Sequence, residues 1–152
     1  LQTNPNADAA DDPFQVQLGT LNGDGSNLAA IQAARVGGGG LTATLSNSVA
    51  AVGQLVTQTQ TDQVVTVAIA EGANVSPVSV ASGGVAFDAL APGSTIVSGA
   101  IPGFVTSGAG NVGVTVNPAL APSAGQAARL LPVAGETVAP PRRPGPTTGI
   151  SP

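Results

Sequence analysis

Apolar and polar residues alternate along most of the middle of the chain, the pattern of strands that bury one face. The clearest runs are FQVQL at residues 14–18 and LTATL at residues 41–45. Similar runs predict further strands at residues 52–57, 64–69, 78–81, 85–90, 94–101 and 111–116. A single open sheet could not bury the apolar faces of seven or eight such strands, so the pattern predicts two packed sheets. We therefore expect an all-β sandwich.

The alternation also selects the side chains that should form the core. The apolar residues expected to point inward are Val16, Leu18, Leu45, Val67, Ile69, Phe87, Leu90, Ile96 and Val114. One stretch allows a different structure, because Leu28, Ile31 and Ala34 in residues 27–35 have a spacing that also suits a helical turn or two. Four glycines at residues 37–40 would end such a helix.

Composition divides the chain into three zones. Residues 1–12 are polar and acidic, and we assign them to an N-terminal arm. Residues 13–117 hold the predicted sandwich. Residues 118–152 contain eight of the 13 prolines and are expected to form an extended C-terminal tail. The chain begins at Leu1, and we expect it to be a processed product or a part of a longer protein.

The missing residue types exclude most catalytic chemistry. The chain has no His, Cys, Met, Trp or Tyr, and its four basic residues are all arginines, so it lacks an imidazole base, a thiolate and a lysine amine. We therefore expect that the protein is not an enzyme and that it binds no cofactor. A net charge of −4 argues against nucleic acid and anionic lipid as partners. No apolar run reaches about 18 residues, so membrane insertion is not expected.

One loop has the composition of a weak metal site. Asn22, Asp24 and Ser26 place oxygen ligands at alternating positions between glycines, as calcium loops do. No acidic residue follows to complete the ligand set, and Asn, Asp and Gly favour turns without any metal. We therefore predict an ordinary turn there. Asp62, Glu71 and Asp88 are interpreted as edge charges that block unwanted strand pairing.

Two Pro-Gly pairs occur close together, one in residues 83–98 (GGVAFDALAPGSTIVS) and one in IPGF at residues 101–104. Both pairs suit type II turns, and Leu90 and Phe104 would then plug the ends of the sandwich. The pattern resembles the closing half of bacterial immunoglobulin-like (Big-type) repeats, and the likeness extends over roughly residues 13–117. It implies an immunoglobulin-like β-sandwich. Such repeats serve as stalks, adhesin spacers and matrix components of exported or cell-surface proteins.

The tail supplies the expected contacts between subunits, because its densest apolar side chains are Leu130, Leu131, Val133 and Val138. We expect a structural subunit of an extracellular or cell-surface filament or layer in bacteria, whose partner is a copy of itself and which assembles through its terminal arms. The alternative is an adhesin-type binding or spacer module that recognises a carbohydrate or protein as a surface ligand. The absence of Trp and Tyr counts against a sugar platform.

Overall fold

Two four-stranded antiparallel sheets form the framework of residues 1–121, the part of the chain that the computed structural model describes. In chain order the ten strands are β1 (Asp12–Phe14), β2 (Gly19–Leu21), β3 (Leu28–Ile31), β4 (Leu41–Asn47), β5 (Gly53–Val56), β6 (Thr61–Asp62), β7 (Val64–Ile69), β8 (Val85–Ala89), β9 (Gly93–Ala100) and β10 (Asn111–Val116). The first sheet has the order β1-β8-β5-β6 and the second β10-β9-β4-β7, while β2 and β3 form a separate hairpin. The all-β prediction is confirmed, since the only helical elements described are two 3₁₀ turns of three residues each.

The two sheets share one apolar core, to which the alternating strands contribute every second side chain. Along β7 the buried residues are Val65, Val67 and Ile69, and the residues between them are exposed. Leu55 and Phe87 of the first sheet belong to the same core cluster. A small core of this kind depends on close packing of Val and Ala.

Most of the predicted core is confirmed. Leu18, Leu45, Val67, Ile69, Phe87 and Val114 are buried, and Val16 is half-buried against them. Two predictions are wrong, because Leu90 is 42% and Ile96 51% exposed. Each lies one residue out of phase with its strand, whose inward positions are Val85, Phe87 and Ala89 in β8 and Thr95 and Val97 in β9.

The second Pro-Gly turn is confirmed and the first is wrong. Phe104 N–H donates to the Ile101 carbonyl at 3.0 Å, and Gly103 has φ 80°, which are the features of a type II turn. Gly93 instead has φ 155° and opens β9. Phe104 is 49% exposed and does not plug the end of the sandwich.

Three segments differ in secondary structure from the prediction. The strand predicted at residues 14–18 is wrong beyond Phe14, since Gln17 forms only an isolated bridge to Val75. Residues 80–82 form a 3₁₀ turn in place of part of the strand predicted at 78–81, because the Ser79 side chain accepts the Ser82 N–H and Gly83 closes the turn with φ 91°. The helical alternative within residues 27–35 is wrong, since Leu28–Ile31 is a strand paired with β2. The missing side chain of Gly19 lets the Ala30 carbonyl approach closely.

The first twelve residues connect the edges of both sheets. The Thr3 and Pro5 carbonyls accept the Thr115 and Asn117 N–H groups at 2.8 Å each, so this segment runs parallel to the end of β10. The chain then enters β1, which pairs with β8 of the first sheet. The predicted subunit contacts Leu130, Leu131, Val133 and Val138 lie outside the described residues. Within residues 1–121, no helix is long and apolar enough to cross a membrane.

Candidate functional site

The outer strand β7 is the most accessible edge of the two sheets. The other edges are short, charged or partly covered: residues 3–7 pair with the end of β10, β1 carries Asp12 and Pro13, and β6 is only two residues long. β7 has six residues (VVTVAI), with neither charge nor proline. A long apolar edge without such protection invites pairing with another chain.

The register of β7 shows which backbone groups are free. The Asn47 N–H donates to the Gln63 carbonyl at 2.8 Å, and hydrogen-bonded and non-bonded positions alternate along an antiparallel pair. The N–H and C=O groups of Val64, Thr66 and Ala68 therefore point away from β4. No other described strand pairs with β7. Three donors and three acceptors are thus presented in one row.

Acidic residues flank this edge. Asp62 precedes β7 and is exposed, as expected of an edge charge. Glu71 follows β7, but its carboxylate is engaged: Oε1 accepts the Gly39 N–H at 2.6 Å and Oε2 the Gly37 N–H at 3.2 Å. Both glycines have positive φ, 83° at Gly37 and 79° at Gly39, so their two N–H groups converge on the carboxylate. Glu71 therefore anchors the four-glycine loop.

Asp88 is not an edge charge, so that prediction is wrong. It lies in β8, between β1 and β5 in the first sheet. Its side chain is half-buried, and its Oδ2 accepts a hydrogen bond from Gln54 Nε2 at 2.8 Å. Asp88 therefore supports pairing between two interior strands.

A cleft of about 360 Å³ lies between residues 14–19 on one side and β9, β10 and residues 104–110 on the other. Two of the three phenylalanines of the chain, Phe14 and Phe104, line it, and none of its lining side chains is charged. Val105 at the cleft is 78% exposed. Apolar side chains share this lining about equally with polar ones such as Gln15, Gln17 and Thr106, an uncharged mixture that suits a neutral ligand.

The loop at residues 22–27 is held together by its own side chains. Asp24 Oδ1 accepts the Ser26 N–H at 2.9 Å and the Ser26 hydroxyl at 2.6 Å, while Asn22 Nδ2 donates to Ser26 Oγ at 3.0 Å. The Ser26 side-chain and backbone hydrogen bonds lower the pKa of Asp24 below its ordinary value. In residues 1–121 no three His, Cys, Asp or Glu residues form a group that could hold a metal ion. That this loop is an ordinary turn stays a prediction.

Sequence reasoning missed a buried polar network between the sheets. Asn47 Nδ2 donates to the Gly53 carbonyl at 2.6 Å and to Gln63 Oε1 at 2.8 Å, and Asn47 Oδ1 accepts the Thr95 hydroxyl. The network joins β4 and β9 of the second sheet to β5 of the first. The only signal in the sequence is that Asn47 and Thr95 stand where apolar residues would be expected.

Comparison of the chain with protein-family models, with curated proteins and with solved structures found no match.

Proposed function

We propose that this protein is a structural subunit of an extracellular bacterial filament or surface layer, built from copies of the same chain. The observation that carries the proposal is the unpaired six-residue edge of β7, which has neither charge nor proline within it. Strand addition to such an edge supplies main-chain hydrogen bonds that repeat from subunit to subunit. Contacts of this head-to-tail type, when they do not close into a ring, generate filaments.

Pairing of the four central strands supports an immunoglobulin-like interpretation of the fold, while the two flanking strands come from opposite ends of the chain to those of immunoglobulin domains. In immunoglobulin domains strands B and E are neighbours in one sheet, and strands C and F are neighbours in the other. Here β4 pairs with β7 in one sheet and β5 with β8 in the other. Strand β9 takes the place of strand A beside B, and β1 takes that of strand G beside F. The likeness of residues 83–104 to repeats of exported bacterial proteins supports the extracellular location.

The terminal segments are proposed to contribute unequally to assembly. Residues 3–7 already pair with β10 of their own chain, and Pro5 and Ala7 are buried there. The N-terminal segment is therefore engaged in the fold. The C-terminal segment, with Leu130, Leu131, Val133 and Val138, remains the proposed connector.

The test removes one outward N–H from β7. Thr66→Pro deletes a donor that the fold does not use, and proline is tolerated on an edge strand when its nitrogen faces solvent. We expect this variant to fold but not to form fibres in negative-stain micrographs. The matched control Thr66→Ala keeps the N–H and should assemble normally. Normal fibres from a folded Thr66→Pro variant, or a wild-type chain that stays monomeric, would refute the proposal.

The cleft favours a second candidate function, the adhesin-type binding module. Its two phenylalanines and uncharged lining suit a neutral apolar group of a ligand. Phe104→Ala should weaken the binding of a neutral fluorescent probe such as N-phenyl-1-naphthylamine. Ile96→Ala, at an exposed apolar residue outside the cleft, is the control. Equal binding of the probe by Phe104→Ala and Ile96→Ala would refute the binding-module function.

A further inference from the structure

We infer that the β7 edge receives residues 129–133 (RLLPV) of a second copy of this chain, an inference that rests on the proposed assembly. The segment belongs to the part of the chain outside the described residues, and it contains three of the four predicted subunit contacts. Three observations select it as the occupant: its charge, the poor fit of β7 to itself, and the position of its proline.

Charge complementarity favours the C-terminal segment. Residues 1–121 contain seven carboxylate side chains and only Arg35, a formal net charge of −6. Residues 122–152 contain three arginines and Glu136, a formal net charge of +2. Opposite net charges favour encounter between the two parts of different copies.

The ends of β7 have the same acidic character. Asp62 lies at one end of the strand and Glu71 at the other. Arg129 is therefore attracted by negative charge at either end of β7, although the Glu71 carboxylate also accepts the Gly37 and Gly39 N–H groups.

Pairing of β7 with β7 of another copy is disfavoured by the same charges. A two-fold arrangement that pairs the outward groups places Thr66 opposite Thr66 and Val64 opposite Ala68. The same arrangement brings the end of β7 next to Asp62 in one copy to the end next to Glu71 in the other, on both sides of the two-fold axis. Like charges across a strand pair destabilise it. A positively charged occupant avoids this repulsion.

The position of Pro132 fits a strand added at the edge. Only alternate residues of an added strand bond to β7, so Arg129, Leu131 and Val133 form one bonding set. Pro132 falls in the other set, where its missing N–H costs no hydrogen bond to β7. The bonding set supplies three N–H and three C=O groups, the number that Val64, Thr66 and Ala68 present.

The experiment is competition with synthetic peptides during assembly of the full chain, followed by light scattering. A peptide of residues 127–139 (AARLLPVAGETVA) should inhibit fibre growth by occupying β7. Methylation of the Leu131 backbone nitrogen should weaken this inhibition about tenfold, since it removes one bonding N–H without altering the side chain. Methylation of the Leu130 nitrogen is the matched control and should leave inhibition unchanged.

A full-chain variant gives an independent measurement. Arg129→Glu should raise the protein concentration needed for assembly about tenfold, and 1 M NaCl should narrow the difference from wild type because it screens the charges. Suppose that the wild type assembles and that Thr66→Pro prevents assembly, but that the unmodified peptide and its two methylated forms inhibit equally or not at all. The inference is then overturned, and the proposed function stands. If the full chain stays monomeric, both are refuted.

Discussion

Replacement of Asn47 by alanine tests the polar network between the two sheets. Asn47 is only 6% exposed, and its Nδ2 reaches the Val49 carbonyl at 3.1 Å as well as Gly53 and Gln63. The Gly53 carbonyl keeps a hydrogen bond in the variant, since Gln63 Nε2 also donates to it at 3.0 Å. The Val49 carbonyl also keeps the Val52 N–H at 3.1 Å, and the Thr95 hydroxyl lies 3.1 Å from Ser48 Oγ, to which it can donate. Gln63 Oε1 is the partner left without its donor. At about 1–3 kcal/mol for an orphaned group, the free energy of unfolding should fall by about 1–3 kcal/mol.

Urea unfolding followed by circular dichroism is the appropriate assay, because the chain has no Trp or Tyr for intrinsic fluorescence. The control is Asn117→Ala, whose exposed side chain makes one hydrogen bond of 3.4 Å to the Asn4 carbonyl. It should change the free energy of unfolding by no more than about 0.5 kcal/mol. A loss below about 1 kcal/mol for Asn47→Ala, with an unchanged denaturant slope, would show that the network does not stabilise the packing of the sheets.

Three further outcomes are expected. Gly53→Ala should lower the free energy of unfolding by about 1–3 kcal/mol, because the new Cβ would overlap the Phe87 ring; an unchanged Tm would contradict this. Ser26→Ala should move the pKa of Asp24 back toward its ordinary value in a carboxyl-carbon NMR titration, and an unmoved midpoint would show that Ser26 is not the cause. Since the folded-state pKa is lowered, the Asp24 carboxylate contributes stability above its unfolded pKa, and that contribution is lost as pH falls through the folded pKa. Deletion of residues 1–7 should uncover β10, lower Tm and increase light scattering from aggregates, while unchanged values of both would contradict the edge-covering role.

Regular alternation predicted β4 and β7 but not the structure of residues 14–18, where only Phe14 lies in a strand and Gln17 forms an isolated bridge to Val75. Prediction also failed where a polar group or a distant partner decided the structure. β4 and β7 were predicted because apolar side chains occupy every second position. Ile96 was assigned to the core from the alternation in residues 94–101, but the inward phase of β9 includes Thr95, which Asn47 binds from 48 residues away. No local pattern contains that information.

The same limit applies to the candidate site. Residues 28–31 have a spacing that suits a helix or a strand, and pairing with β2 decides between them. The free edge at β7 depends on strand order in the sheet, which alternation along one strand does not specify. The sequence therefore predicts that β7 is an apolar strand, but not that it lies at the edge of its sheet.

The parallel contact between residues 3–7 and the end of β10 has a mechanical consequence. When the chain is pulled from both sides of this domain, neighbouring parallel segments are drawn in opposite directions along their own axes. The bonds from Thr115 to Thr3, from Asn117 to Pro5 and from Ala7 to Asn117 then carry the load together, in shear. An antiparallel hairpin pulled at its open end would instead lose its bonds one at a time. Rupture of the domain therefore requires several hydrogen bonds to break at once, which suits a subunit that transmits tension along a fibre.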